Sequence, residues 1–99
     1  MNPLSTGLAR ALRALGLDRD VARADAIRAW VGVASRIIGP DAVATTALRV
    51  DAGTLVVAVP TAHWAAEIRL RERELVAAIA ARSPRSGIAK IRSVPAGRP

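Results

Sequence analysis

Asp51-Ala52-Gly53-Thr54-Leu55-Val56-Val57-Ala58-Val59-Pro60-Thr61 decides the fold. Asp51-Ala52-Gly53 has turn chemistry, since Gly53 takes a positive φ without steric cost. Thr54 to Val59 is an apolar run of strand length whose β-branched Val56 and Val57 suit a pleated surface. Pro60-Thr61 stops the strand, and from Ala62 to Arg82 the period changes from two to 3.6. Trp64, Ile68, Leu75 and Ile79 then fall within about 60° of one another on a helical wheel, a single apolar stripe. The stretch reads as a buried strand leading into a long helix.

Upstream, Leu48 and Val50 alternate with Arg49 and Asp51, which predicts a strand with Leu48 and Val50 on its buried face. The turn at Gly53 makes these two strands an antiparallel hairpin. Downstream, Ser83-Pro84-Arg85-Ser86-Gly87 is a loop, and Ile88 to Val94 reads as a third strand carrying Lys90 and Arg92. Two helices precede the hairpin. In the first, Leu4, Leu8, Leu12 and Leu15 form one stripe that Gly16 ends. The second opens at Asp18 or Asp20 and reaches Ile38, with Ile27, Trp30, Ala34, Ile37 and Ile38 on one face and Gly39-Pro40 as its stop. Gly32 lies on the outer side of this helix, explained by close approach of a neighbour or by a functional contact. The expected architecture is α+β, a two-layer domain with helices packed on a three-stranded sheet in the order α-α-β-β-α-β. Its parts are a leucine-striped helix at 1–17, the domain proper at 18–95 and a short flexible tail at 96–99.

The chain has 99 residues, room for one core. Its hydrophobic share of 52% rests mainly on alanine, and Trp30 and Trp64 are the only aromatic residues. Both lie on apolar faces and are expected, with Ile68 and Leu75, to anchor the core. The absence of cysteine excludes disulfides, thiol catalysis and cysteine-based metal sites. No apolar run approaches the ~20 residues of a membrane span, and the N-terminus lacks a signal-peptide profile, so a cytoplasmic location is expected. No cofactor is expected.

Fifteen basic residues against eight acidic give a net charge of +7, and every basic residue except Lys90 is arginine. A planar guanidinium matches phosphate oxygens and stacks on bases, which points to nucleic acid as a partner. The same bias also arises when a GC-rich genome drifts toward arginine and alanine.

Three pieces of the sequence together carry a resemblance. Trp30-Val31-Gly32, then Gly53-Thr54-Leu55-Val56-Val57-Ala58-Val59, then His63-Trp64-Ala65-Ala66-Glu67-Ile68 resemble the DciA family over roughly Ala24 to Val94. The resemblance implies a KH-like fold and a role in placing the DnaB-type replicative helicase on DNA, with a nucleoid association during replication. The glycine-x-x-glycine loop by which KH domains clamp a nucleic-acid backbone is absent, so contact with nucleic acid is expected elsewhere.

On the helical wheel Arg69 and Arg73 lie opposite the core stripe. Arg82 and Arg85 flank the following loop, and Lys90 and Arg92 share one face of the last strand because they are two apart. These six are the candidate nucleic-acid contacts, gripping phosphates without reading sequence on single-stranded or duplex DNA. The competing reading for Arg69 and Arg73 is a solvated face on which Glu72 and Glu74 neutralise the arginines. Between Arg82 and Arg92 the sequence holds no acid. Leu70 also lies opposite the core stripe and, with Leu4, Leu8 and Leu12, is the candidate partner-docking surface.

Catalytic chemistry finds no constellation. His63 is the only histidine and has no companion for a metal, no serine has a histidine and acid at motif spacing, and no glycine-rich loop cradles phosphate. The leading expectation is therefore a non-enzymatic replication adaptor that binds the helicase and DNA through separate surfaces. The alternative is a KH-like module acting on ribosomal or regulatory RNA.

Overall fold

Helix α1 runs unbroken from Pro3 to Ile37, 35 residues. At 1.5 Å per residue it is about 52 Å long, and it sets the long axis of a molecule measuring 58 × 30 × 17 Å. The structure is a computed structural model that describes residues 3–97 and, within α1, leaves the side chains of residues 3–6, 8–9 and 12–15 outside the description. The docking stripe expected of Leu4, Leu8 and Leu12 therefore lies outside the described side chains.

Gly16 does not end the first helix, which continues through it into the second. Positions 15, 19, 22, 26, 30 and 33 keep one helical register through the glycine, so the ~1 kcal/mol cost of glycine in a helix interior is not enough to break it. Asp18 and Asp20 lie inside the helix rather than capping a second one. The two expected N-terminal helices are thus one.

A 3-10 turn, Pro40–Ala44, brings the chain to β1 (Thr46–Asp51) and β2 (Thr54–Val59). They pair antiparallel, with Ala52 at φ 48° and Gly53 at φ 80° making the tight turn that the sequence predicts. A bulge between Ala47 and Arg49 interrupts the pairing. It resets the alternation, so Ala47 and Val50 pack against the core while Leu48 is left 46% exposed. That corrects the expected burial of Leu48, since an extra residue in one strand shifts every later side chain by one place.

The expected helix from Ala62 to Arg82 is divided into α2 (Ala62–Leu70) and α3 (Glu72–Arg82). Arg71 leaves helical geometry at φ −110°, ψ 15°, and its N–H is shared between the carbonyls of Glu67 and Ile68 at 3.2 Å each. Thr61 caps α2 by accepting from the Trp64 N–H at 3.4 Å. After a second 3-10 turn, Pro84–Ser86, the last strand β3 (Lys90–Pro95) pairs parallel with β2. The result is α+β, with a mixed sheet in the order β1-β2-β3 and helices on one face.

The core joins α1, α2, α3 and the inward face of the sheet: Ala26, Trp30, Val33, Leu55, Val57, Ile68, Leu75 and Ile79 are all buried. Trp30 is fully buried, and its indole N–H donates to Thr45 Oγ1 at 2.9 Å, whose hydroxyl donates to the Ala42 carbonyl at 2.6 Å. This relay satisfies the one polar atom that burying a tryptophan brings inside. Trp64 differs: it packs against the rim of the core and is only partly buried.

The opposite face of the sheet has no helix on it. Val56 is nevertheless fully buried, standing in register between Arg49 of β1 and Arg92 of β3.

Candidate nucleic-acid interface

The division at Arg71 lets α2 and α3 lean along the free side of β3, and an open groove of about 1260 Å³ lies between them. Its helical wall presents one face of α2 and α3, on which Ala62, Ala65, Ala66, Arg69, Arg73, Val76 and Ala77 recur at helical spacing. Its other wall is β3 from Lys90 to Ser93. Small side chains make the floor, so a ligand can approach the helix backbone closely. Arg69 and Arg73 stand on one side and Lys90 and Arg92 on the other, all four exposed.

Backbone groups of β3 also face this groove. Lys90 and Ala96 donate their N–H groups to Gly53 and Val59, so the alternate residues Ile91, Ser93 and Pro95 turn theirs outward. Glu72 Oε2, at the start of α3, accepts the Ile91 N–H at 2.9 Å, and Pro95 has no N–H to offer. Ser93 N–H and the carbonyls of Ile91 and Ser93 are left facing the groove, a short row of donors and acceptors beside the cations.

The charge balance turns on where the acids point. Among the described residues the ion pairs are Arg23–Asp20 at 3.3 Å, Arg28–Asp25, Arg49–Asp51 at 2.7 Å, Arg71–Glu67 at 3.6 Å and Arg85–Asp18 at 2.6 Å. None of them takes Arg69, Arg73, Lys90 or Arg92. Glu72 is committed to the strand backbone and Arg71 to Glu67, so the neutralisation expected from the interleaved acids of α3 does not involve Arg69 or Arg73.

Arg82 and Arg85 do not join the groove. Arg82 lies over the outer side of α1, in a shallow hollow with Asp25, Arg28 and Ala29. A Cβ added at Gly32 would stand 3.8 Å from its Nη1, an ordinary contact that alanine accommodates, so close approach is not what keeps a glycine there. Arg85 is held by Asp18, 67 residues earlier, so the stretch from Arg82 to Arg92, free of acids in sequence, is not free of them in space. Leu70, 80% exposed, sits on the lip of the groove. The small-residue floor has a visible helical period but no mark of its own in the sequence, because alanine marks a groove only once a strand stands opposite it.

A comparison with family models matches residues 3–93 to the model described as Dna[CI] antecedent, DciA. The chain belongs to the DciA family. At the level of that family this carries a loader-like role toward the DnaB-type replicative helicase. A comparison with curated proteins finds no match. Among the described residues of this DciA domain no helix is long and apolar enough to cross a membrane. Among the same residues no group of three or more histidine, cysteine, aspartate or glutamate side chains is placed to hold a metal ion.

Proposed function

We propose that this DciA domain is a non-enzymatic adaptor that helps place the DnaB-type helicase on DNA, holding the nucleic acid in the groove between β3 and α2–α3. The observation that carries the reading is the meeting of Arg69, Arg73, Lys90 and Arg92 in one groove with no carboxylate paired to any of them among the described residues. Guanidinium and ammonium groups there neutralise phosphates without regard to base sequence, so affinity falls with salt. The reading takes a single strand as the form held, and duplex DNA measured alongside it tests that choice. Loading by such a protein uses binding energy alone: it raises the local concentration of DNA at the helicase or holds one conformation of the ring.

The test is a pull-down of the cognate helicase by this chain, followed by a helicase-loading assay on single-stranded DNA with wild type and Arg69→Ala/Arg73→Ala/Arg92→Ala. Capture of the helicase by both, with loading and DNA affinity reduced only in the variant, supports the reading. Equal loading by the two proteins overturns the groove, and no capture of helicase overturns the adaptor. Structured RNA belongs in the same binding series, since a preference of about a hundredfold for it, roughly 2.7 kcal/mol, favours the RNA-binding alternative.

A further inference from the structure

Beyond the end of the groove lies a second basic hollow, of about 580 Å³, beneath the middle of α1. Arg19 and Arg23 reach it from α1, and Arg85 from the 3-10 turn, with Asp18 as the one acid lining it. The two sites adjoin. Thr54 and Lys90 belong to the groove and Gly53 and Gly87 to the hollow, while the Gly53 carbonyl accepts from Ala89 N–H at 2.8 Å and Lys90 N–H at 3.2 Å. Gly53 has no side chain to stand between them, and a Cβ there would meet the Gly87 carbonyl at 3.1 Å. Lys90 therefore stands at the junction, with groove cations on one side and hollow cations on the other.

Resting on the nucleic-acid reading of the groove, we propose that the same single strand runs past Lys90 and over Gly53 into this hollow. There Arg19, Arg23 and Arg85 hold its next phosphates, with Asp18 competing with the strand for Arg85 and Asp20 for Arg23. The juxtaposition favours phosphate over an acidic peptide because the hollow adjoins the groove and, Pro84 apart, its lining is charged, polar or glycine, with nothing to seat an apolar side chain. Arg85 Nη1 sits 2.6 Å from Asp18 Oδ2, both side chains half-exposed or more, so a phosphate reaches the remaining donors of that fork without first unfolding anything. Asp18 lowers the affinity of the extended site by a fixed internal contact.

The test compares oligothymidylates of about four and about sixteen nucleotides, lengths that fill one clamp and an extended track respectively, by fluorescence anisotropy on the full chain. Each single-strand phosphate contact contributes a salt slope of about 0.7, so Arg19→Ala/Arg23→Ala weakens the long oligonucleotide about tenfold, lowers its slope by about 1.4 and leaves the short one unchanged. Asp18→Asn does the reverse, tightening the long oligonucleotide about threefold and steepening its slope, with the short one again unchanged. Equal effects on both lengths, or none on the long one, overturn the extension, as does an Asp18→Asn protein that binds the long strand more weakly. Arg69→Ala/Arg73→Ala separates the two ideas. Weakening of both lengths upholds the groove whatever the hollow does, and no weakening of either overturns the groove itself.

Discussion

The arginines of α1 and the cations of the groove differ in what stands near them. On α1, Arg23 and Arg28 each have an aspartate three residues earlier, and both pairs form. One helix turn is enough to bring such partners together, so that charge is compensated by local sequence. The groove assembles Arg69 and Arg73 from two helices with Lys90 and Arg92 from a strand, and the nearest acid, Glu72, is spent on the Ile91 backbone. Charge of one sign collects where elements distant in sequence meet, and on the proposed reading a phosphate backbone finds donors there without displacing a carboxylate first.

The comparison breaks most sharply under neutralisation. Changing Arg69, Arg73, Lys90 and Arg92 to alanine together removes four contacts and lowers single-strand affinity on the order of a hundredfold at moderate salt, flattening the salt slope by almost three. An unchanged slope in a salt titration removes the groove from consideration. Next comes Gly53→Ala, which acts on the scaffold: with φ 80° and the Gly87 carbonyl 3.1 Å from the new Cβ, it lowers unfolding free energy by about 1–2 kcal/mol in urea. The groove variant leaves the unfolding free energy within about 0.5 kcal/mol of wild type, because its side chains are exposed.

A smaller effect sharpens the role of Glu72. Glu72→Gln keeps an acceptor for the Ile91 N–H and removes the only acid lining the groove, so DNA binding tightens about threefold with little change in stability. Glu72→Ala loses the acceptor as well and costs about 1 kcal/mol. At the low end, Arg28→Ala/Arg49→Ala removes two cations already paired to Asp25 and Asp51, and DNA affinity stays within about twofold of wild type. A large loss there means that net charge, rather than its placement, governs binding.

Much of this was legible in the residues. The strand at Thr54 to Val59, the turn at Gly53, the core stripe through Ile68, Leu75 and Ile79 and the burial of Trp30 all follow from period and turn chemistry, which are local. The outward placement of Arg69, Arg73, Lys90 and Arg92 was equally local, being a matter of helical and strand phase. Three things were not. Gly16 has the chemistry of a stop, because glycine often ends a helix, but the helix on either side carries through it. The bulge that exposes Leu48 depends on the pairing of β1 with β2 and leaves no mark in β1 alone. The partner of Arg85 depends on where a helix 67 residues away comes to rest, which no window of sequence contains.

The outer side of β3 has one further consequence. Strands at the margin of a sheet invite copies of themselves to add on, and long flat margins seed fibrils. Here a carboxylate occupies one amide, a proline deletes another and guanidinium groups crowd the approach, so each additional molecule that tries to extend the sheet meets like charge and a broken ladder. A domain with such a margin can be concentrated without its sheets fusing.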